Sequence, residues 1–548
     1  MAFGGVALPR RQVSHQSWLL TLAVGAVIIA YGRIGPDWPA QEFRSWFAHN
    51  VGLHAWNNEW YAGHALLGYS VLYPPVAGTL GAGITGLLAA TVVAWAGVRL
   101  FPVPEVDGPH RGGEVGRVGK LTWASIHVAV ALCVLGNLVS GQVPFLLGLA
   151  PGALALLAVR SRHPYLASLL AAAASLASPL AGMFVLFIAV AWLPDLGWRR
   201  ALPLGWAVCG SAVAWLIGGD SGHFPFSPAS WAPYAAFTAF AIVLIPRDMR
   251  VLRRAVILTA VVAVALFVVP NPVGGNVNRL AQLAALPVSL WVLGLGAGRR
   301  WRVGWARPAV AWLAVAAAAT WFAFPVMSAV VRSSGDPSRD AHFYRGLLHF
   351  LSTEDARAGR LEIPLTRGHW EVSYVAQHFP LARGWERQVD LEYNNLLYHP
   401  LDAAAYRSWL DASAVDLVAL PRAPLDPGGR AERALLQHPP DYLTVAYRDK
   451  NWTVFRVDNP APLVSGAGAT LARIGPSSVS VQFRHAGTAT VKVHASPLWQ
   501  TDTPGSCIED DDSTWLRIHS DQPGRVDVEA QVSAGTLLHV TPSRCSGN

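Results

Sequence analysis

The sequence carries little charge. Of its 548 residues only 14% are Asp, Glu, Lys or Arg, whereas soluble domains contain roughly 25%. Hydrophobic residues make up 52% of the chain, and the mean hydropathy is +0.33. The 23 Trp, 50 Gly and 39 Pro fit the same class, because aromatic side chains collect at membrane interfaces and Gly and Pro are tolerated in membrane helices. This composition excludes a soluble globular protein and indicates a polytopic membrane protein.

Several sequence motifs are also missing. There is no P-loop, and no dinucleotide-binding glycine pattern joined to a strand and a helix, so neither ATP nor NAD use is indicated. His49, His54 and His64 do not have the i, i+4 spacing of a helical metal pair, and we expect no structural zinc. No cofactor is therefore predicted, and a requirement for a divalent cation is left open.

The net charge of +8 does not predict nucleic-acid binding. The Lys and Arg residues lie mostly in short loops between apolar runs, where they orient membrane helices. No small-residue cleavage site stands between the first apolar run, Trp18 to Tyr31, and Asp37. We therefore expect the first run to remain as a membrane anchor.

Apolar runs predict about eleven membrane spans. They cover residues 17–34, 76–98, 121–138, 143–159, 164–177, 181–194, 203–218, 231–246, 255–270, 280–297 and 308–330. The pair at 164–194 is short for a bilayer, and it can also be one long helix broken at Ser178-Pro179.

The distribution of positive charge favours two crossings at 164–194. With the N-terminus inside, the cationic loops contain Arg99, Arg111, Arg117, Lys120, Arg160, Arg162, Arg199, Arg200, Arg247, Arg250, Arg253, Arg254, Arg299, Arg300, Arg302 and Arg307. The opposite loops contain only Arg44 and Arg279. By the positive-inside rule, this alternation predicts a cytoplasmic N-terminus and an extracytoplasmic C-terminal region. High Ala, Gly, Arg and Trp with little Lys indicates a GC-rich bacterium, and hence its plasma membrane.

The cysteines test the same topology. Cys133 and Cys209 lie inside apolar runs and are interpreted as small buried hydrophobic residues. Cys507 and Cys545 are the two cysteines of the terminal region, and a disulfide between them fits an oxidising exterior. The alternative is two unrelated buried thiols.

The sequence divides into three regions. Residues 1–331 form the transmembrane region, with a long outer loop at 35–75. Residues 332–440 are interpreted as an α/β region, with helical spacing at 340–351 and 405–413 and a buried strand at 415–421. Residues 441–548 predict a β-sandwich, because short alternating strands separated by Gly, Pro and Asp recur there. Those predicted strands are 442–449, 452–458, 478–485, 488–496, 514–520, 525–532 and 536–542.

Polar residues of the outer loops face one side of the membrane and are expected to converge. The set comprises Asp37, Glu42, His49, His54, Asn57, Asn58, Glu59, His64, Asn137, Gln142, Ser178, Asp220, His223, Asn276, Asn278 and Arg279. Together they predict a polar basin beneath the outer region.

The order of motifs resembles the GT-C class of polytopic glycosyltransferases. The first span is followed at once by an acidic residue, then by "NEWYAGHALLGYSVLYPP", "SPLAG", "GGNVNRL" and "ARGWERQVDLEYNNLLYHP". In particular the chain resembles bacterial membrane proteins labelled "6-pyruvoyl-tetrahydropterin synthase-related", which have a W-x-x-G-x-P-like turn leading to Tyr-Pro-Pro. Here that turn is Trp60, Gly63 and Tyr73-Pro74-Pro75, with Leu66 or Leu67 where the family more often has Pro. The first loop also lacks the adjacent acidic pair of several GT-C families.

The resemblance implies a polyprenyl-phosphate sugar donor and an acidic general base early in the first outer loop. By position this base is Asp37, which at the interface can draw a proton from an acceptor hydroxyl. The alternative is that Asp37 caps an interfacial helix starting at Pro39. Glu42 would lie on that helix and face water.

Arg279 is the candidate ligand for the carrier phosphate, because guanidinium matches phosphate oxygens in bidentate geometry. The alternative is an arginine that snorkels to lipid headgroups. Gly274 and Gly275 either let the backbone approach a ligand or make a tight turn. Asn276 is placed in the same substrate-binding set.

Glu59, Asp220 and His223 are weaker candidates for substrate binding, and the stretch at 507–512 is a candidate calcium site. Glu59 can bind a metal or the acceptor, or face water. Asp220 and His223 can form an acid and base pair or half of a metal site, or simply an Asx-capped loop turn. The carboxylates of "CIEDDD", 507–512, can bind calcium or form a solvated acidic turn.

The sequence thus predicts a multi-pass α-helical membrane protein, GT-C-like, with an extracytoplasmic α/β and β-sandwich region. The leading function is a hexosyl- or pentosyltransferase that moves a sugar from a polyprenyl-phosphate carrier to an envelope glycan or lipid at the outer face. The alternatives are a transporter or flippase of a lipid-linked substrate and a non-enzymatic scaffold for envelope assembly. A transporter would show internal repeats and mid-membrane charges, which the sequence lacks.

Overall fold

The structure is a computed structural model. It describes residues 16–101, 114–217, 222–245, 247–298, 306–353, 359–509, 513–533, 535 and 543–545.

Helices dominate the first two thirds of the chain. The α-helices are α1 (Gln16–Tyr31), α2 (Trp38–Asn50), α3 (Tyr73–Leu80), α4 (Ala82–Leu100), α5 (Glu114–Ser140), α6 (Val143–Arg160), α7 (Pro164–Ala177), α8 (Pro179–Leu196), α9 (Trp198–Ala201), α10 (Cys209–Leu216), α11 (Pro228–Leu244), α12 (Arg250–Val268), α13 (Asn278–Gly298), α14 (Ala306–Ser333), α15 (Arg345–Thr353), α16 (Glu371–Tyr374), α17 (Arg387–Asn394), α18 (Ala403–Ala412) and α19 (Arg430–Leu436). Short 3₁₀ turns cover Leu202–Val208, Gly274–Val277, Pro337–Arg339, Ala341–Tyr344, Asn395–Tyr398 and Pro427–Gly429.

Strands are concentrated in the last third. They are β1 (Trp56–Asn57), β2 (His64–Ala65), β3 (Arg360–Glu362), β4 (Val415–Pro421), β5 (Leu443–Arg448), β6 (Trp452–Val457), β7 (Val464–Ser465), β8 (Thr470–Gly475), β9 (Ser478–Phe483), β10 (Gly487–His494), β11 (Trp499–Gln500), β12 (Ser506–Ile508), β13 (Trp515–Ser520) and β14 (Gly524–Ala530).

The chain is a membrane protein with a helix over every predicted span. Within the described residues, six helices are long and apolar enough to cross a membrane: 82–100, 123–140, 143–160, 179–196, 250–268 and 312–333. The other predicted spans are covered by shorter helical segments or, for α13, by a helix whose last side chains lie outside the described set. The number of crossings therefore stays a prediction.

The break at Ser178 is present. Ser178 has an extended backbone, with φ −160° and ψ 114°, between the end of α7 and the start of α8. Pro179 cannot donate to the preceding turn, which explains why one long helix does not form. The two helices pack with small residues between them and their neighbours, since a Cβ at Gly182 would meet the Ser175 side chain at 2.6 Å. Small residues let membrane helices approach closely.

The region at 360–457 is a mixed four-stranded sheet flanked by helices. Its strand order is β3-β4-β6-β5, with β3 parallel to β4 and the other pairs antiparallel. The predicted helices at 340–351 and 405–413 are confirmed as a 3₁₀ turn followed by α15 and as α18, and the strand at 415–421 is confirmed as β4.

Two further four-stranded sheets form the sandwich, with orders β12-β13-β10-β7 and β11-β14-β9-β8. Inward residues of both sheets share one hydrophobic cluster, which explains the alternating pattern. Four of the seven predicted strands, 478–485, 488–496, 514–520 and 525–532, are confirmed in the sandwich as β9, β10, β13 and β14. The strands predicted at 442–449 and 452–458 are present as β5 and β6 but pair in the mixed sheet, so the sandwich does not begin at residue 441 as predicted. The seventh, 536–542, lies outside the described residues. The strand β8 was not predicted, because its residues do not alternate cleanly.

The cysteine prediction is confirmed for the terminal pair. Cys507 and Cys545 form a disulfide, with Cα atoms 5.0 Å apart. Cys133 is buried as expected, whereas Cys209 is only partly buried, because it begins the short helix α10.

The predicted loop at 35–75 is an ordered insert, which joins the membrane helices to the three four-stranded sheets at 360–530. These are named the outer sheets after their predicted location. Phe43 of α2 stacks on Trp60 with ring centroids 4.4 Å apart. The Asn58 amide donates to the Pro476 carbonyl at 2.7 Å, and the Leu381 amide donates to the Glu59 carbonyl at 2.8 Å. These bonds fix both outer sheet regions directly over the first loop.

Candidate functional site

Asp37 lies at the junction between the first helix and the interfacial helix α2. It occupies the N-cap position, but its side chain makes no capping hydrogen bond, and α2 begins at Trp38 with Pro39 in its first turn. The turn between α5 and α6 presses on this junction, since a Cβ at Gly141 would come within 2.5 Å of the Trp38 nitrogen. Gly141 has φ +81°, a backbone conformation that glycine adopts without strain. The capping interpretation therefore does not explain the carboxylate.

Arg279 faces Asp37. It is the second residue of α13, and its Nη2 lies 3.9 Å from Asp37 Oδ2. The side chains are 19% and 29% exposed, so both are shielded from water without being sealed from it. The guanidinium also lies 5.7 Å from the ring centroid of Phe145 in α6. Arg279 thus points into the protein at a carboxylate, which a purely snorkelling arginine would not do.

Three other side chains act on Asp37: Arg44 of the adjacent helix α2, and Trp385 and Arg387 from a distant segment. The indole N–H of Trp385 is placed to favour the charged carboxylate, and the positive charges of Arg44 and Arg387 lie close enough to act on it. Burial raises the pKa of Asp37 above its usual value, and Arg279 is the largest of the opposing influences. The site therefore holds a carboxylate whose proton affinity is higher than that of a solvated Asp.

Trp385 contacts two side chains, His369 and Arg387. The ring of His369 packs edge-on against it at 3.3 Å between centroids, and the Arg387 guanidinium lies 4.7 Å from its ring. Arg387 is in turn held by both carboxylate oxygens of Asp426, at 3.1 and 3.0 Å, and by the Tyr398 hydroxyl at 2.8 Å. This bidentate geometry orients the guanidinium and hence the indole.

Arg44 and Glu386 tie this segment to α2. The two side chains form a buried ion pair and hydrogen bond. The Tyr61 hydroxyl accepts from the Glu386 amide at 2.8 Å and donates to the Glu386 carbonyl at 3.3 Å. The residue next to Trp385 is therefore clamped at side chain and backbone.

Glu59 lies in a different environment from the one around Asp37. Burial raises its pKa to about 7, and the nearby charge of Arg360 partly opposes this rise. Arg360 bonds the Ser413 and Lys492 carbonyls at 2.9 and 2.7 Å, at the junction of the outer sheets. Glu59 therefore faces the outer region rather than water, and its contacts give no support to acceptor binding beside Asp37.

Of the other loop residues predicted to bind substrate, His223 and Asn276 are described by the structure and Asp220 is not. His223 accepts from the Asn271 amide at 3.2 Å through Nδ1, so it holds one loop to the next. Asn276 lies in the turn that precedes α13, three residues before Arg279. Asp220 lies outside the described residues, so its pairing with His223 stays a prediction.

Gly274 and Gly275 allow the turn before α13 to pack closely against the segment at 224–225. Gly274 has φ +43°, and a Cβ there would come within 1.9 Å of the Phe224 carbonyl oxygen. A Cβ at Gly275 would lie 3.3 Å from the Pro225 carbonyl oxygen. The tight-turn interpretation accounts for both residues, because backbone rather than ligand fills the space next to them.

The predictions for Glu42 and for the acidic stretch at 507–512 differ in outcome. Glu42 does not simply face water: it pairs with Arg33 at 2.6 Å, is 22% exposed, and has a raised pKa because of burial. Of the "CIEDDD" stretch, Glu509 pairs with Arg517 at 2.8 Å, while residues 510–512 lie outside the described set. Within the described part of the chain, no three His, Cys, Asp or Glu side chains converge as metal ligands.

Arg44, Trp385 and Arg387 were not singled out from the sequence. The sequence identified Arg44 as one of two cations on the predicted outer side, without a role. Trp385 and Arg387 belong to the 382–400 motif, but neither residue was given a role. The usable signal was the combination of charged and aromatic residues within this motif. Nothing in the pattern, however, connected it with Asp37.

No family model matches the chain, and no curated protein is significantly similar to it in sequence. Among solved structures it is similar to ArnT from Cupriavidus metallidurans bound to undecaprenyl phosphate, at 13% identity and a TM-score of 0.39 over 80% of this chain and 97% of that one. The apo form of the same protein gives 0.37 at the same identity and coverage.

A third structure is the archaeal oligosaccharyltransferase AglB from Archaeoglobus fulgidus, in complex with an inhibitory peptide and a dolichol-phosphate. It has 13% identity and a TM-score of 0.29, with 74% of this chain and 69% of that chain covered. These proteins are GT-C glycosyltransferases, the class that the sequence motifs resemble. Similarity at this level assigns neither a family nor a reaction, so the function has to be argued from the chain's own residues.

Proposed function

We propose that the protein is a membrane glycosyltransferase that moves a sugar from a polyprenyl-phosphate-linked donor to an envelope glycan or lipid at the outer face. The observation that carries this proposal is the position of Asp37, 3.9 Å from Arg279 at the boundary between membrane helices and outer sheets. A base and a phosphate ligand are the two groups that such a transfer requires.

In this reaction Asp37 accepts the proton of the acceptor hydroxyl. The acceptor oxygen then forms a bond to the anomeric carbon of the sugar, and the bond from that carbon to the phosphate oxygen breaks. The polyprenyl phosphate leaves with the bonding electron pair. A carboxylate with a raised pKa suits the first step, because general bases work best when their pKa approaches the working pH.

Arg279 has the chemistry to bind the phosphate and to stabilise the charge that develops on it as it leaves. A guanidinium offers two parallel N–H donors to phosphate oxygens. Its place at the start of α13 adds the favourable potential of a helix N-terminus for an anion. The hydrogen bond from Trp385 would orient the Asp37 carboxylate while Arg279 is occupied.

The experiment is complementation of a deletion strain in the native host by Asp37→Asn, with glycan and lipid analysis of the envelope. Asn keeps the shape of Asp but cannot act as a base. We expect the protein at normal level and an envelope glycan truncated as in the deletion strain. Arg279→Gln should give the same truncation.

The matched controls are Asp195→Asn and Arg254→Gln. This pair joins α8 to α12 at 2.5 Å, with both side chains 32% exposed, and lies far along the chain from the site. We expect both controls to restore the glycan. If Asp37→Asn fully restores the envelope glycan, Asp37 is not the base, and the scaffold or transporter hypothesis is favoured instead.

A further inference from the structure

Asp37 and Arg279 form a charge pair, with Nη2 of Arg279 3.9 Å from Oδ2 of Asp37. Among the residues that the structure describes, neither side chain has a second ion-pair partner within 4.0 Å. At 3.9 Å the contact is a charge pair rather than a hydrogen bond. Such a pair is held by Coulomb attraction alone, so an ion with better geometry can replace either member.

The other two guanidiniums near Asp37 are committed elsewhere. Arg44 is bound to Glu386 in a pair whose side chains are 3% and 7% exposed. Arg387 is bound through two hydrogen bonds to Asp426. Breaking either pair would strand a buried charge, which is costly. Arg279 is therefore the cation of this site that can change partner at the lowest cost.

We propose that Asp37 is the resting counter-ion of Arg279, and that a phosphate group which binds Arg279 displaces it, so that phosphate binding and protonation of Asp37 are linked. The proposal rests on the proposed function in one respect, because it takes Arg279 as the phosphate ligand. It adds that the donor itself changes the basicity of the base.

The sign of the linkage follows from the charges that face Asp37. These are Arg279 from α13, Arg44 from α2, and Arg387 together with the Trp385 N–H from the segment at the start of α17. Arg279 gives the largest opposition to the rise in pKa that burial causes. A phosphate on Arg279 cancels this opposition and adds a negative charge, so the pKa of Asp37 rises further on binding.

Binding then takes up a proton at any pH between the pKa of Asp37 without phosphate and its pKa with phosphate on Arg279. By linkage, affinity for the phosphate is highest below this interval and falls as pH rises through it. The titration of the phosphate itself works in the opposite direction, because its second pKa is about 6 and the dianion binds a cation more tightly. A variant without the carboxylate separates the two effects.

The experiment measures binding of undecaprenyl phosphate to the full chain in phosphatidylcholine nanodiscs by calorimetry, over the widest pH range in which the protein stays folded. Two buffers of different ionisation enthalpy report the protons taken up. We expect wild type to take up a fraction of a proton that Asp37→Asn does not. We also expect Asp37→Asn to bind about fivefold or more tightly than wild type at the high-pH end, and equally at the low-pH end.

Two lipids distinguish the sources of phosphate chemistry. Undecaprenol lacks the phosphate and should bind without a pH difference between wild type and Asp37→Asn. Phosphatidylglycerol presents an ordinary lipid phosphate, and equal linkage with it would mean that Arg279 recognises headgroups rather than the carrier. Asp195→Asn, from the matched pair, should behave as wild type.

The failures of the two proposals are distinguishable. If Arg279→Gln binds undecaprenyl phosphate as wild type does, the phosphate role of Arg279 fails, and with it both proposals as stated. If Arg279→Gln loses binding but wild type and Asp37→Asn share one pH profile and one proton count, the linkage is wrong and the phosphate role stands. The melting temperature of each variant is measured as a control. An unchanged value excludes misfolding as the cause of altered binding.

Discussion

Arg44 and Glu386 form a buried ion pair across 342 positions of the chain. Arg44 belongs to the interfacial helix that begins beside Asp37, and Glu386 follows Trp385 in the outer region. Because one member comes from each region, the pair joins the membrane helices to the outer sheets within the candidate site. Its integrity is expected to govern both stability and the placement of Trp385.

Removing one member of this pair should destabilise the protein strongly. Glu386→Gln leaves Arg44 charged and buried, a change that typically costs about 3–5 kcal/mol. The double variant Arg44→Met, Glu386→Leu removes both charges and should be less destabilised than Glu386→Gln. Thermal unfolding in detergent, followed by tryptophan fluorescence, measures the difference. Equal unfolding temperatures for wild type and Glu386→Gln would contradict the pairing.

The indole N–H of Trp385 should tune Asp37. Trp385→Phe keeps an aromatic ring beside His369 and Arg387 but removes the N–H donor that favours the charged carboxylate, so the pKa of Asp37 should rise. Reaction with dicyclohexylcarbodiimide, which modifies the protonated carboxyl, reports this rise by mass spectrometry across a pH series. Trp409→Phe is the matched control, because both indoles are 8% exposed and Trp409 donates to Asn394 at 3.0 Å. An unchanged labelling midpoint in Trp385→Phe would refute the contact.

Glu59 should make stability depend on pH. Its pKa is about 7 in the fold against 4.5 for an ordinary Glu, so the folded protein holds a proton that the unfolded chain releases between these values. Stability contributed by this group therefore falls as pH rises through that interval, by up to about 3 kcal/mol. Glu59→Gln should flatten the dependence of unfolding temperature on pH, whereas the exposed Glu529→Gln should not. If the unfolding temperature of Glu59→Gln depends on pH as steeply as that of wild type, other groups cause the pH dependence of stability.

The disulfide should stabilise the sandwich and remain oxidised in the cell. Closing a loop of 38 residues is worth about 4 kcal/mol in the chain-entropy model. The variant Cys507→Ser, Cys545→Ser should therefore unfold at a lower temperature than wild type. Alkylation of wild-type protein from intact cells without reductant should leave Cys507 and Cys545 unmodified. Alkylation of both thiols under these conditions would place the region in a reducing compartment.

Cysteine labelling tests the predicted topology. In a background with Cys133 and Cys209 replaced by Ala, the exposed positions are Arg162→Cys, Arg200→Cys and Arg484→Cys. If 164–194 crosses twice, Arg162→Cys and Arg200→Cys lie on the same, cytoplasmic side and resist an impermeant maleimide in intact cells. Arg484→Cys should react. Opposite outcomes at 162 and 200 would show a single crossing.

Some features of this protein follow from local sequence and needed no tertiary information. Low charge and long apolar runs define a membrane protein, and Ser178-Pro179 breaks a helix because of what proline itself lacks. The alternation of residues 478–485 and 525–532 defines strands, because each strand face meets one environment. The position of Cys507 and Cys545 apart from the two cysteines in apolar runs made them the candidate pair, whereas the bond itself is seen in the tertiary structure.

The composition of the candidate site was decided by the tertiary structure. Asp37 and Arg279 were each identifiable as unusual charges at the membrane boundary, but their distance of 3.9 Å depends on how α13 packs against α5 and brings its first turn to the junction before α2. The contributions of Trp385 and Arg44 depend on contacts across more than three hundred residues, and such contacts leave no period or spacing in the sequence. Secondary structure is encoded by neighbours in the chain, whereas a charge pair is encoded only by the fold that brings its members together.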